Sequence, residues 1–160
     1  MRPHLAKRLV SLQGFTITEA VVALTIIGIG IGSMITSMGQ LNQEASISRN
    51  ATGADAALQN QIDLLLSDGP FNPQKTGSDG QPQIPPELTV GTYTTTNVPI
   101  YREPSSGVIV SGTMTTTVTD ISQNAFGQTL YMYQATVTVS YDYRGRTYTA
   151  SRTTIRTSDI

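Results

Sequence analysis

Residues 20–38, AVVALTIIGIGIGSMITSM, form a run of nineteen residues without one charged side chain. Coiled as a helix, the run is roughly 29 Å long, close to the ~30 Å hydrocarbon core of a bilayer. The core helix of a soluble domain normally keeps a polar face toward water, and this run has none. A membrane span is therefore the better reading, and it constrains everything on either side of it.

The flanks set an orientation. Residues 1–14, MRPHLAKRLVSLQG, hold Arg2, Lys7 and Arg8 and no acid, whereas the first basic residue beyond the run is Arg49. Basic residues are retained on the cytoplasmic side, so the N-terminus should stay inside and the C-terminal body should cross the membrane. The 160-residue chain carries a formal charge of −1, but without its first fourteen residues seven basic face eleven acidic residues, a net charge of −4. So acidic a body has no broad electrostatic footprint for phosphate backbones, which argues against general nucleic-acid binding.

Composition removes further classes. Without Cys there is no thiolate nucleophile, disulfide or cysteine-ligated metal. The single His is His4, so the body cannot assemble a Ser-His-Asp triad or a histidine-ligated metal site. No convergent acid, base and nucleophile can be named, and the expectation is a non-enzyme with no cofactor and no metal.

Past the apolar run the helical signal continues. Residues 39–66 lack Pro, and Ile47, Ala51, Ala54, Leu58, Ile62 and Leu65 recur every three or four positions. Ser46, Arg49, Asn50, Gln59, Asn60 and Asp63 fill the opposite face, giving an amphipathic half-helix over 39–67 that should stop near Ser67, before Asp68-Gly69-Pro70. Gly53 weakens this helix by about 1 kcal/mol without breaking it. Residues 68–87, rich in Pro, Gly, Asp, Asn and Gln, read as a long surface loop.

From residue 88 onward the chain is a β-sheet region, with eighteen Thr among its last seventy-three residues. Tyr131, Tyr133, Ala135, Val137, Val139, Tyr141 and Tyr143 alternate with Gln134, Thr136, Thr138, Ser140 and Asp142, which places the two sets on opposite faces of a strand. Arg144-Gly145 marks a tight hairpin into a last strand. Val108, Val110, Met114 and Val118 give an earlier strand, and residues 88–96 a weaker one. The expected fold class is α+β: a long N-terminal helix, membrane-spanning in its first half and amphipathic in its second, packed on a C-terminal antiparallel sheet of roughly four strands.

The junction Gly14-Phe15-Thr16-Ile17-Thr18-Glu19 is the informative stretch. Glu19 stands at the mouth of the span, where an unpaired carboxylate is costly and marks a functional partner. Were the chain cut after Gly14, the new amine of Phe15 would lie within one helical turn of such a carboxylate. In a bundle it could pair with Glu19 of a neighbouring chain, neutralising both charges and fixing the stagger between helices.

In these residues the sequence resembles the type IV pilin family, which includes the pseudopilins of type II secretion and the subunits of competence pili. Its precursors have a short basic leader ending in Gly, then Phe, then Glu as the fifth mature residue, then an apolar helix. Gly14, Phe15, Glu19 and residues 20–38 match that order and spacing, and the motif resemblance covers about residues 7–38. The resemblance implies that residues 1–14 are a leader removed by a prepilin peptidase after Gly14, with methylation of the Phe15 amine. It further implies residence in the bacterial inner membrane, then assembly through residues 15–38 into a periplasmic or extracellular filament of like subunits. Within the family, the wording Glu-Ala-Val-Val-Ala-Leu from Glu19 to Leu24 is closer to a minor pilin or pseudopilin. Twitching pilus, DNA uptake and type II secretion all use such subunits.

The chain departs from many pilins in lacking both the C-terminal disulfide and a Pro within residues 15–66. Gly28, Gly30 and Gly32 could loosen the helix locally, or Gly28 and Gly32 could form a small-xxx-small packing pair. Two rivals remain: a secretory signal cut after Ser37-Met38-Gly39, and an uncleaved anchor for a β-rich surface-binding domain that does not polymerise. Neither accounts for Glu19. Among weaker signals, Arg144, Arg146, Arg152 and Arg156 could form a partner-binding or DNA-binding stripe, though a solvated or guarded strand face is the plainer and preferred reading. Asp68, Asn72 and Asp79 lack the spacing of a calcium loop and read as turn formers. The abundance of Thr and Tyr reads as strand propensity rather than an adhesive face.

Overall fold

The computed structural model describes residues 15–102, 107, 109–125 and 127–159. The proposed leader, its cleavage residue Gly14 and the strand residue Val108 lie outside the described residues. One α-helix, α1, covers Ile17–Ser67. The chain divides into two units, Met1–Glu44 and Ala45–Ile160, each taken by itself below.

In the first unit the described residues are helical from Ile17 onward. Thr16 starts the helix: its carbonyl accepts the first intrahelical bond from Ala20 N–H at 3.1 Å, and its Oγ1 accepts the Glu19 N–H at 3.2 Å. A Thr followed three residues later by Glu is the sequence form of a capping box.

The second unit carries a four-stranded antiparallel sheet in the order β3-β4-β7-β8, from β3 (Gly91–Arg102), β4 (Ile109–Asp120), β7 (Met132–Tyr143) and β8 (Arg146–Thr157). Two small hairpins accompany it, β1 (Asn72–Thr76) with β2 (Pro82–Gln83), and β5 (Gln123–Ala125) with β6 (Gln128–Leu130). Part of the expected 68–87 loop is therefore structured: β1 and β2 pair within it, and a 3₁₀ turn at Pro86–Leu88 follows. Gly77 N–H donates to Gln81 O at 2.7 Å to close the hairpin.

The C-terminal part of α1 lies on the sheet. Ala54, Leu58, Ile62 and Leu65 share one core with Ile100, Val118, Tyr133, Ala135, Val137, Val139, Tyr141, Phe71 and Leu88. Along β7 every odd residue from Tyr133 to Tyr141 is buried, as the alternation requires. Arg144 (φ 51°) and Gly145 (φ 72°) both take left-handed backbone, the requirement of a two-residue turn whose twist matches its strands.

Two details differ from the sequence reading. The stripe on α1 enters the core at Asn50 rather than Ala51, which is exposed; Ile47 is half-buried. Asn50 is 1% exposed, and neither its Nδ2 nor its Oδ1 has a hydrogen-bond partner among the described residues. The weak strand over 88–96 is in fact twelve residues long and begins at Gly91. Thr95 pairs with Met114 and Val98 with Gly112, so three steps on β3 match two on β4. This bulge, with Asn97 at φ 60°, shifts the phase of the strand so that Val98 and Ile100 face the core.

At the loop side of α1 the Glu87 carboxyl is held above its ordinary value, first by a hydrogen bond to the Asp68 carboxyl and then by partial burial and Asp68's charge. Its Oε2 is buried without a hydrogen-bond partner among the described residues. A carboxyl raised in the folded state contributes stability that is fully present below its unfolded value and is lost as pH rises through the folded one. Glu87→Gln keeps a donor for Asp68 at every pH. The variant should therefore melt higher than the parent at neutral pH, with the gap closing toward pH 4. Thermal melts across that range check this, and a parallel pair of curves would contradict it.

Candidate functional site

The apolar helix of the first unit is the candidate site. Its large side chains are exposed along its length: Val21, Val22, Leu24, Ile26, Ile27, Ile29, Ile31, Met34, Ile35 and Met38 are each more than half exposed. The helix is long and apolar enough to cross a membrane, and none of its most apolar window is buried. An apolar surface of that extent is costly in water at about 25 cal/mol per Å².

Its few polar groups are already provided for. The run holds four hydroxyls, and all four are returned to the helix's own backbone four residues earlier. Thr25 donates to Val21 O (2.8 Å), Ser33 to Ile29 O (2.9 Å), Thr36 to Gly32 O (3.0 Å) and Ser37 to Ser33 O (3.0 Å). In hydrocarbon an unpaired hydroxyl costs several kcal/mol, so this inward bonding is what an apolar environment demands. Gly28, Gly30 and Gly32 have nothing within 4 Å of where a Cβ would stand, so their surface is open to close approach by another helix.

Phe15 and Glu19 sit at the start of this helix, both exposed. The Glu19 carboxylate makes no ion pair among the described residues. Its negative charge in the first turn is favourable to the helix dipole by about 0.3–1 kcal/mol, a local role independent of any partner. The capping role of Thr16 is an addition from the structure, although the Thr-x-x-Glu spacing before an apolar run carries its signal.

The four arginines do not form one stripe. Arg144 and Arg146 are exposed at the β7–β8 turn, with the Arg144 guanidinium 5.6 Å from the centre of the Tyr143 ring. Arg152 reaches α1, donating to Gln59 Oε1 at 3.3 Å and pairing with Asp55 at 3.5 Å, its side chain 48% exposed. Arg156 is buried and donates to the carbonyls of Leu65, Asp68 and Gly69 and to Asp159 Oδ2. Arg156 is therefore ill-placed for a partner or DNA contact: it is buried, and both terminal nitrogens of its guanidinium are bonded within the fold. Arg152 also reaches the helix, but its side chain stays about half exposed.

No protein-family model matches the chain, and no curated protein or solved structure is similar to it. What the fold defines is an α+β chain with one helix long and apolar enough to cross a membrane, its C-terminal part packed on an antiparallel sheet.

Proposed function

We propose that this chain is a structural subunit of a type IV pilus-like filament, a minor pilin or pseudopilin of a twitching, DNA-uptake or type II secretion system. It is held in the bacterial inner membrane with its N-terminus cytoplasmic until a prepilin peptidase cuts after Gly14. It then joins other subunits through residues 15–38. The observation that carries the reading is the bare apolar helix, with its hydroxyls turned inward and Glu19 as its one charge between residues 15 and 38. Such a surface suits a bilayer and a helical bundle equally, so the chain can pass from one to the other with little change in solvation. The freed amine of Phe15 would pair with Glu19 of a neighbour and set the axial stagger.

The first test is the intact mass and N-terminal residue of the protein made with and without an active prepilin peptidase. A product beginning at N-methylated Phe15, present only with the enzyme, supports the reading. A chain beginning at Gln40, or one keeping Met1 regardless, returns the protein to the secreted or anchored class.

The Thr16–Glu19 cap favours a second reading, in which Glu19 serves only its own helix, and one pair of variants separates the two. Glu19→Gln retains a capping-box side chain but removes the charge, whereas Glu19→Ala removes both. If the charge pairs with a neighbour's amine, filament yield collapses in both variants. If capping is the whole role, Glu19→Gln assembles like the parent.

A further inference from the structure

We infer that the sheet face turned away from α1 carries a binding site for a neutral, polyhydroxylated ligand, a sugar residue. The site is a cleft of about 310 Å³ at the β3 bulge, lined by Asn97, Ser111, Thr113, Ser140, Asp142 and Thr147 among others. It lies wholly within the second unit.

Three hydroxyl pairs on this face bond across the strands among the described residues. Thr92 pairs with Thr117 (3.3 Å), Thr136 with Thr153 (3.0 Å) and Thr138 with Ser151 (3.0 Å). Thr113 and Ser140 stand opposite each other in register, yet no hydrogen bond joins their side chains among the described residues. Their hydroxyls are left for solvent or a ligand.

The backbone shapes the depression. The bulge at Thr96–Asn97 puts Asn97 in the left-handed region, a conformation that costs a non-glycine residue free energy and recurs at binding sites. Gly112 lets β7 approach, since a Cβ there would stand 2.7 Å from Ser140 O. At the far wall Asp142 Oδ1 accepts the Thr147 hydroxyl at 2.5 Å, which fixes the carboxylate and leaves its other oxygen as an acceptor.

The lining selects the ligand class. A carboxylate with no cation in the lining repels phosphates, sulfates and uronic acids. A wall of hydroxyls, an amide and a carboxylate gives an apolar ligand little to bury against. Adjacent sugar hydroxyls can donate to Asp142 and both donate to and accept from the Asn97 amide, so a neutral saccharide satisfies both requirements.

The test is saturation-transfer NMR on the full chain, solubilised in a zwitterionic detergent that bears no sugar headgroup. The probes are neutral mono- and disaccharides, with glucuronic acid and glucose 6-phosphate as anionic controls. Transfer to at least one neutral sugar is expected, with affinity roughly ten-fold weaker in Asn97→Gly and in Asp142→Asn. Thr153→Val, on the same face outside the cleft, should bind as the parent does. Asn97→Gly keeps the left-handed backbone available, and a parental thermal melt establishes that each variant is folded. The inference is overturned if no neutral sugar receives transfer, if the anionic controls bind instead, or if both cleft variants bind like the parent.

Discussion

Arg156→Ala should destabilise the sheet unit by about 3–5 kcal/mol, the loss that follows when a buried ionic network is broken from one side. The last four carbonyls of any helix have no partner within it, and this end carries the negative pole of the helix dipole. α1 has no basic residue in its last turn. Arg156 provides one from the end of β8, ninety-one positions beyond Leu65 in the chain. Its guanidinium, 8% exposed, donates to Leu65 O (3.1 Å), Asp68 O (2.8 Å) and Gly69 O (2.6 Å), and pairs with Asp159 at 3.4 Å. It also lies 5.8 Å from the centre of the Phe71 ring. Truncation leaves carbonyls unpaired where water has little access, at about 1–3 kcal/mol for each group. Arg156→Lys should recover only part of the loss, because a single ammonium cannot reproduce a planar fork that reaches three carbonyls. Urea unfolding of the full chain in micelles, followed by circular dichroism, measures both. A loss below about 1 kcal/mol for Arg156→Ala would mean that water replaces the guanidinium at the helix end.

Gly53→Ala should also destabilise, by about 2 kcal/mol, although helix propensity alone favours Ala by about 1 kcal/mol. The sign is decided by what faces the residue. A Cβ at position 53 would stand 2.0 Å from the backbone oxygen of Ile100 and 2.9 Å from its carbonyl carbon. Neither atom belongs to a side chain that could swing aside, so α1 and β3 would have to separate, loosening Ile100 in the core. The same urea titration checks this. An increase in stability would show that the helix can move off β3 at little cost.

These variants mark where reading along the chain stops being sufficient. Gly53 looks like a mild helix weakener because propensity is all that a linear sequence offers; its actual constraint is an oxygen forty-seven positions away. Arg156 looks like one of four cations on a solvated hairpin, and nothing local says that a helix end needs it. The β3 strand reads as weak in sequence because its bulge reverses the inside–outside alternation at Thr96–Asn97, and a strict period-two pattern breaks at a phase shift. Its chemistry puts Asn50 on the polar face, whereas the buried face runs through Asn50, Ala54, Leu58, Ile62 and Leu65. The β1–β2 hairpin was hidden by a composition of turn formers.

What the sequence by itself determined is everything that depends on near neighbours. The uncharged run from 20 to 38 makes an apolar helix whatever follows it. The odd residues of β7 turn inward because a strand alternates, and Arg144-Gly145 turns because two left-handed residues close a hairpin. The Thr16–Glu19 cap belongs to this class as well. Tertiary structure decided which face of α1 meets the sheet, how β3 changes phase to present Val98 and Ile100, and where Arg156 spends its charge. Each of these depends on atoms that meet only after the chain has folded back over many tens of residues, where packing and unpaired carbonyls outweigh local preference.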